Sequence, residues 1–227
     1  ILLFVFGMIA TLITFLYYPN DLMQSKKLSK ISFKYNNKLV QIYLGSFFLS
    51  LILSIMLYVF PLIWRDLGTL NEDLFSTYLK IFLPAAIIIY PSIRFFEKIK
   101  KVYIAINLGW AFLTLAFAAY LLLPSNIYSF YILGILFFLG SSVFQSLLPS
   151  LLSLNVSSEL RATGNGPFYI MNFLGHAVGS IFAGAIYMKD FYFGFDKNFL
   201  ICIICILLII LWISIGLPKY IIKENSH

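Results

Sequence analysis

The sequence predicts an all-α polytopic membrane protein with seven transmembrane helices, on the strength of three observations. Hydrophobic residues make up 61% of the 227 and charged residues only 11%, with a mean hydropathy of +0.94, a balance that no water-exposed surface sustains. Seven nearly uncharged runs approach or exceed the roughly 18 to 20 apolar residues that a bilayer core requires. The runs are continuous rather than alternating, so the backbone amides in lipid must be satisfied within helices and not in a barrel.

Ile1–Tyr18 is apolar throughout and ends in Tyr17-Tyr18-Pro19, an interface anchor followed by a helix breaker. It has no charged flank and no small-residue cleavage site, so it is expected to be the tail end of a longer membrane domain and not a signal peptide. Residues 19–38 carry five lysines without an apolar period and suit a surface connector. Leu39–Trp64 repeats Ser46, Ser50, Ser54 and Tyr58 every four residues, a single helical stripe, with Pro61 near its far end. Ser76–Ile93 contains Lys80, the one cation inside a span, about one turn from the boundary, where its stem snorkels to water. Val102–Leu123 places Asn107 and Trp110 three apart, a packing pair. Tyr128–Leu148 gathers Ser141, Ser142 and Gln145 near Pro149.

Phe168–Tyr187 is expected to begin at Gly166-Pro167, with proline at or near the first helical position and Asn165 placed to cap it. Asn172, His176 and Ser180 form one stripe of this span; Gly175, Gly179 and Gly184 form an adjoining stripe for close helix packing. Phe199–Leu217 is almost wholly aliphatic, and residues 218–227 are a short tail.

The loops assign orientation. Twelve of the sixteen basic residues fall in 19–38, in Arg94–Lys101, at Arg161, and at Lys219 and Lys223, whereas the opposite loops hold Arg65, Lys189 and Lys197. By the positive-inside rule the first set is cytoplasmic, which places Ile1 outside and His227 inside a cell membrane. The net charge of +7 is therefore a topogenic signal. The lipid bilayer is the expected partner and nucleic acid is not.

Several chemistries are excluded. No Asp or Glu lies within any predicted span, so a paired-aspartate intramembrane protease is ruled out, and Gly140-Ser141-Ser142 is followed by Val143 where a serine protease turn needs glycine. The last span has no lysine for a retinal Schiff base. Cys202 and Cys205 have redox spacing but only aliphatic neighbours, so they are read as packing residues. Asn155-Val156-Ser157 matches a glycosylation acceptor on the wrong side of the membrane. An enzyme is not expected, and neither a metal nor a cofactor is.

The segment Arg161-Ala162-Thr163-Gly164-Asn165-Gly166, followed by Gly175-x-x-x-Gly179 and Gly184, resembles the helix 10–11 junction of major facilitator superfamily transporters. Ala162 stands where the family arginine is often followed by glycine. Arg94-Phe95-Phe96-Glu97-Lys98, with Lys100 and Lys101, resembles the family's acidic-then-basic loop between helices 8 and 9, without its glycines. The resemblance implies that the chain is a fragment: 1–18 the last helix of the N-terminal half, 19–38 the cytoplasmic inter-half loop, 39–217 the C-terminal six-helix half and 218–227 a tail. These spans are helices 6–12 of twelve, and the missing N-terminal half is the implied partner.

The same resemblance implies a secondary active transporter that moves a small-molecule solute by alternating access, proton-coupled efflux being one form. Ser46, Ser50, Ser54, Tyr58, Gln145, Asn172 and His176 are then expected to line the solute pathway, and Glu97, Arg161 and Gly166 to form an inner gate. The ending Leu217-Pro218-Lys219-Tyr220 lacks the sugar-porter motif. The alternative, from a different class, is a heptahelical receptor or membrane scaffold without transport activity.

Overall fold

A computed structural model describes residues 36–67, 76–77, 79–85, 87–89, 102–157, 160–187, 191–192 and 195–217, all within the compact unit Phe33–His227. Five of the described helices are long and apolar enough to cross a membrane: α1 (Asn37–Asp66), α2 (Val102–Leu122), α3 (Ile127–Asn155), α4 (Arg161–Tyr187) and α5 (Lys197–Ile215). Ser76–Ile93 is described in part, as a shorter apolar helix over Leu79–Ile89. The Ile1–Tyr18 span, nearly all of the 19–38 loop and the 218–227 tail lie outside the described residues. Between α4 and α5, β1 (Phe191–Tyr192) and β2 (Phe195–Asp196) pair antiparallel, with Phe191 opposite Asp196.

Helix ends follow local chemistry. Asn36, in extended backbone, caps α1 by accepting the Leu39 amide at 2.9 Å. Asn126 caps α3 through the amides of Tyr128 and Ser129, and the Ser129 hydroxyl answers the Asn126 amide at 3.1 Å, a reciprocal capping box. α5 stops at Gly216, whose φ of 74° is cheap only for glycine and returns its N–H to Trp212 O.

Two predicted boundaries are corrected, both at prolines. α3 does not stop at Leu148; it runs through Pro149 to Asn155, because Leu151 and Leu152 beyond it are buried in the core. α4 does not begin at Gly166-Pro167; it begins at Arg161, seven residues before Phe168. Pro167 removes only the donor that Thr163 O would have used, and Thr163 is exposed, so solvent replaces that bond. The Tyr43 hydroxyl, from α1, donates to Gly164 O at 3.1 Å and holds the added turn. The N-terminal pole of α4 thus lies at Arg161, and Asn165 is an exposed helical residue and not a cap.

Helices in lipid gain nothing from water exclusion between them, so close packing and buried hydrogen bonds decide which surfaces meet. The most extensive pair is α1 with α4. A Cβ built at Gly175 would sit 2.4 Å from Phe47 O, and one at Gly179 2.5 Å from Leu51 O, so here the two backbones touch. α2 and α3 make a similar seam, where a Cβ on Gly140 would meet Gly109 O at 2.8 Å. Aromatic rings fill the remaining space: Phe60 and Trp64 of α1 on Phe130 of α3, and Trp110, Phe144 and Trp212 joining α2, α3 and α5. Buried Cys202 and Cys205 belong to this packing.

Both ends of the bundle carry polar ties. At one, Gln41 Nε2 donates to Ile215 O at 3.1 Å, and Tyr43 reaches Gly164. At the other, Lys197 Nζ lies 3.5 Å from Asp66 Oδ2 and 4.8 Å from the Tyr187 ring centroid, and the Tyr187 hydroxyl donates to Asn198 Oδ1. Lys197 therefore touches the ends of α1 and α4 from the start of α5.

The glycine seam yields a direct expectation. Gly175→Ala forces a methyl group onto the Phe47 carbonyl and should cost about 1–3 kcal/mol of overpacking, on the order of 2–10 °C in melting temperature for a chain of this size. Gly184→Ala, whose new methyl group finds nothing nearer than Tyr58 Oη at 3.7 Å, should leave the melt unchanged or raise it. Thermal unfolding of the purified full-length protein in detergent compares the two.

Candidate functional site

A cavity of about 430 Å³ opens between α1, α3 and α4. Ser46 from α1, Gln145 from α3, and Asn172 and His176 from α4 supply its polar groups. Leu49, Leu53 and Leu57 make the α1 wall, Phe138, Phe144 and Pro149 belong to the α3 wall, and Phe168 closes the α4 side. Four residues that the sequence marks on three separate helices thus share one space. Asn172 and His176 are one helical turn apart and half-buried, and Gln145 is exposed.

The serine stripe of α1 divides. Ser46 reaches the cavity, and its hydroxyl donates weakly to Phe168 O at 3.4 Å. Ser50 and Ser54 lie off it, in the seam with α4. Ser54 donates to His176 O at 2.9 Å, and its oxygen lies 2.5 Å from the Ser180 hydroxyl, which must then be the donor of that second bond. Ser50 is fully buried, its Cβ 2.9 Å from where a Cβ on Gly175 would stand, and its hydroxyl has no hydrogen-bond partner among the described residues. Tyr58 is 42% exposed near the far end of α1, its ring edge-on to Tyr187 and its hydroxyl beside Gly184. The expected pathway stripe of Ser46, Ser50, Ser54 and Tyr58 is therefore one cavity residue, two seam residues and one peripheral tyrosine.

Ser141 and Ser142 are buried and do not line the cavity; Ser141 returns its hydroxyl to Phe138 O of its own helix at 3.3 Å. Of the expected gate, Glu97 lies outside the described residues, Arg161 is exposed at the α4 N-terminus, and Gly166 is exposed with nothing within 4 Å of a built Cβ. Lys80 is exposed at the start of the Leu79–Ile89 helix.

The apolar lining escaped the sequence reading. Leu49, Leu53 and Leu57 repeat every four residues beside the serine stripe, a signal hidden because leucines occupy every face of α1. No group of three metal-ligating side chains occurs among the described residues. A second cavity, of about 300 Å³, lies at the Lys197 end of the bundle against Tyr120, Ser125, Asp196 and Asn198. No family model matches the chain, and no curated protein matches it.

The two seam serines separate a made bond from an unmade one. Ser54→Ala removes the bond to His176 O and strands Ser180, and should lower unfolding stability by about 0.5–2 kcal/mol, the range of interhelical bonds in lipid. Ser50→Ala removes a buried hydroxyl without a partner and should be neutral or stabilising. Chemical denaturation in mixed micelles ranks both against the parent chain.

Proposed function

We propose that residues 39–217 form the C-terminal six-helix bundle of a secondary transporter of the major-facilitator kind, with Ser76–Ile93 as one of its six spans and Ile1–Tyr18 as the last helix of the other half. The supporting observation is the convergence of Ser46, Gln145, Asn172 and His176 on one cavity among helices long enough to cross a bilayer. Intramembrane polar groups are costly and face a pathway or a partner by default. A solute binds against this wall and a second bundle supplies the opposite one. Rocking of the two bundles about the solute exposes it first to one side and then to the other.

The roles divide by position. Asn172, Gln145 and His176 contact solute; Ser46 borders it. Ser50, Ser54, Gly175 and Gly179 keep α1 and α4 moving as one body. Arg161, at the positive N-terminal pole of α4, faces the basic-loop end, where it pairs with a carboxylate when that end closes. Glu97 belongs to the same gate. Lys197 with Asp66 ties the opposite end. The bundle is oriented with residues 19–38 and the C-terminus in the cytoplasm.

Alternating access is tested without knowing the solute. In full-length protein with Cys202→Ala and Cys205→Ala, Asn172→Cys should react with a membrane-impermeant maleimide in both right-side-out and inside-out vesicles, since both orientations of the cavity are visited. Labelling from one side alone fits a receptor or scaffold and contradicts transport. Labelling from neither side removes the pathway altogether.

A further inference from the structure

The cavity wall carries hydrogen-bonding capacity from amides, a hydroxyl and an imidazole. No Asp, Glu, Lys or Arg lines it among the described residues. The side-chain amides of Gln145 and Asn172 and the imidazole of His176 make no hydrogen bond to any described residue, so their donors and acceptors are unspent. Pro61 and Pro149 have no N–H for the carbonyls of Leu57 and Gln145 four residues earlier, and both of those residues belong to the cavity lining. The rest of the lining is apolar, with Phe138, Phe144 and Phe168 offering ring faces and edges.

These features discriminate among solutes. An anion meets no lysine or arginine on this wall. A cation meets no carboxylate. Either ion leaves its water without a counter-charge here, a desolvation penalty that hydrogen bonds to neutral groups do not offset. A neutral group with both a donor and an acceptor fits, because each side-chain amide offers both. A space of about 430 Å³ lies within the range of about 300–1,000 Å³ that takes a drug-sized ligand.

We propose, resting on the transporter reading, that this wall selects an uncharged aromatic solute of drug-like size carrying an amide or hydroxyl group. Gln145 and Asn172 determine that specificity by pairing with the polar group while the phenylalanines take the ring.

The test uses three radiolabelled probes with one indole ring and different charge: N-acetyltryptophanamide, uncharged; N-acetyltryptophan, anionic; and tryptamine, cationic. Equilibrium binding to the full-length protein in lipid nanodiscs should favour the uncharged probe by about tenfold or more over each charged one. Asn172→Leu and Gln145→Leu should each weaken the uncharged probe by about tenfold, whereas Asn107→Leu, on the exposed face of α2, should leave it unchanged. Equal or tighter binding of a charged probe overturns the proposal, as does binding of none of the three at millimolar concentration. If position 172 nonetheless labels from both membrane sides, the solute class fails and the transporter reading stands. Labelling from neither side removes both.

Discussion

Everything in the described bundle depends on how closely α1 and α4 approach. At Gly175 and Gly179 the backbone of α4 lies against the carbonyls of Phe47 and Leu51, nearer than any side chain permits. Lipid supplies no hydrophobic drive for this contact, so it rests on dispersion between close backbones and on the Ser54 bonds to His176 O and Ser180. The approach also fixes rotation. Asn172 and His176 lie about 60–100° around α4 from Gly175, so a glycine face turned to α1 turns the amide and imidazole toward the cleft beside α3. Packing and solute contact are two faces of one helix, set by a single orientation.

Proline has a comparable double consequence. Pro149 and Pro167 leave their helices intact, since in each case one bond is forfeited while neighbouring turns stay packed or solvated. Gln145, whose carbonyl loses its helical donor to Pro149, is itself a lining residue of the cavity. The polar ties at the two ends, Gln41 and Tyr43 at one and Lys197 at the other, frame this middle layer and leave its hydrogen-bonding groups unspent.

The apolar helices of membrane length, the close-packing glycines Gly175 and Gly179 of α4 and the polar residues of three helices were legible in the sequence, because membrane helices advertise themselves by their apolar runs and polar groups in lipid are few; Gly184, expected in the same packing stripe, meets only Tyr58 at 3.7 Å. What resisted reading has definite physical causes. The prolines suggested boundaries at Leu148 and Phe168 because an isolated helix breaks there; tertiary contacts from Leu151, Leu152 and Tyr43 reverse that preference. The α1 serines share one stripe, but a stripe about three turns long on a crossing helix meets different neighbours along its length, so Ser46 reaches the cavity while Ser50 and Ser54 enter the seam. The leucine wall carried no contrast against an already apolar helix. Glu97 and the basic loops lie outside the described residues, so the gate rests on sequence alone.

The close contact of α1 with α4 is tested most directly by joining its two nearest side chains. In a chain with Cys202→Ala and Cys205→Ala, the pair Ser54→Cys and Ser180→Cys is oxidised in native membranes, and the chain is then cut at a protease site inserted beside exposed Ser125. Fragments that stay together on a non-reducing gel and separate on reduction are the expected result. Fragments that separate without reduction would contradict the α1–α4 contact and, with it, the placement of Asn172 and His176 on a common wall.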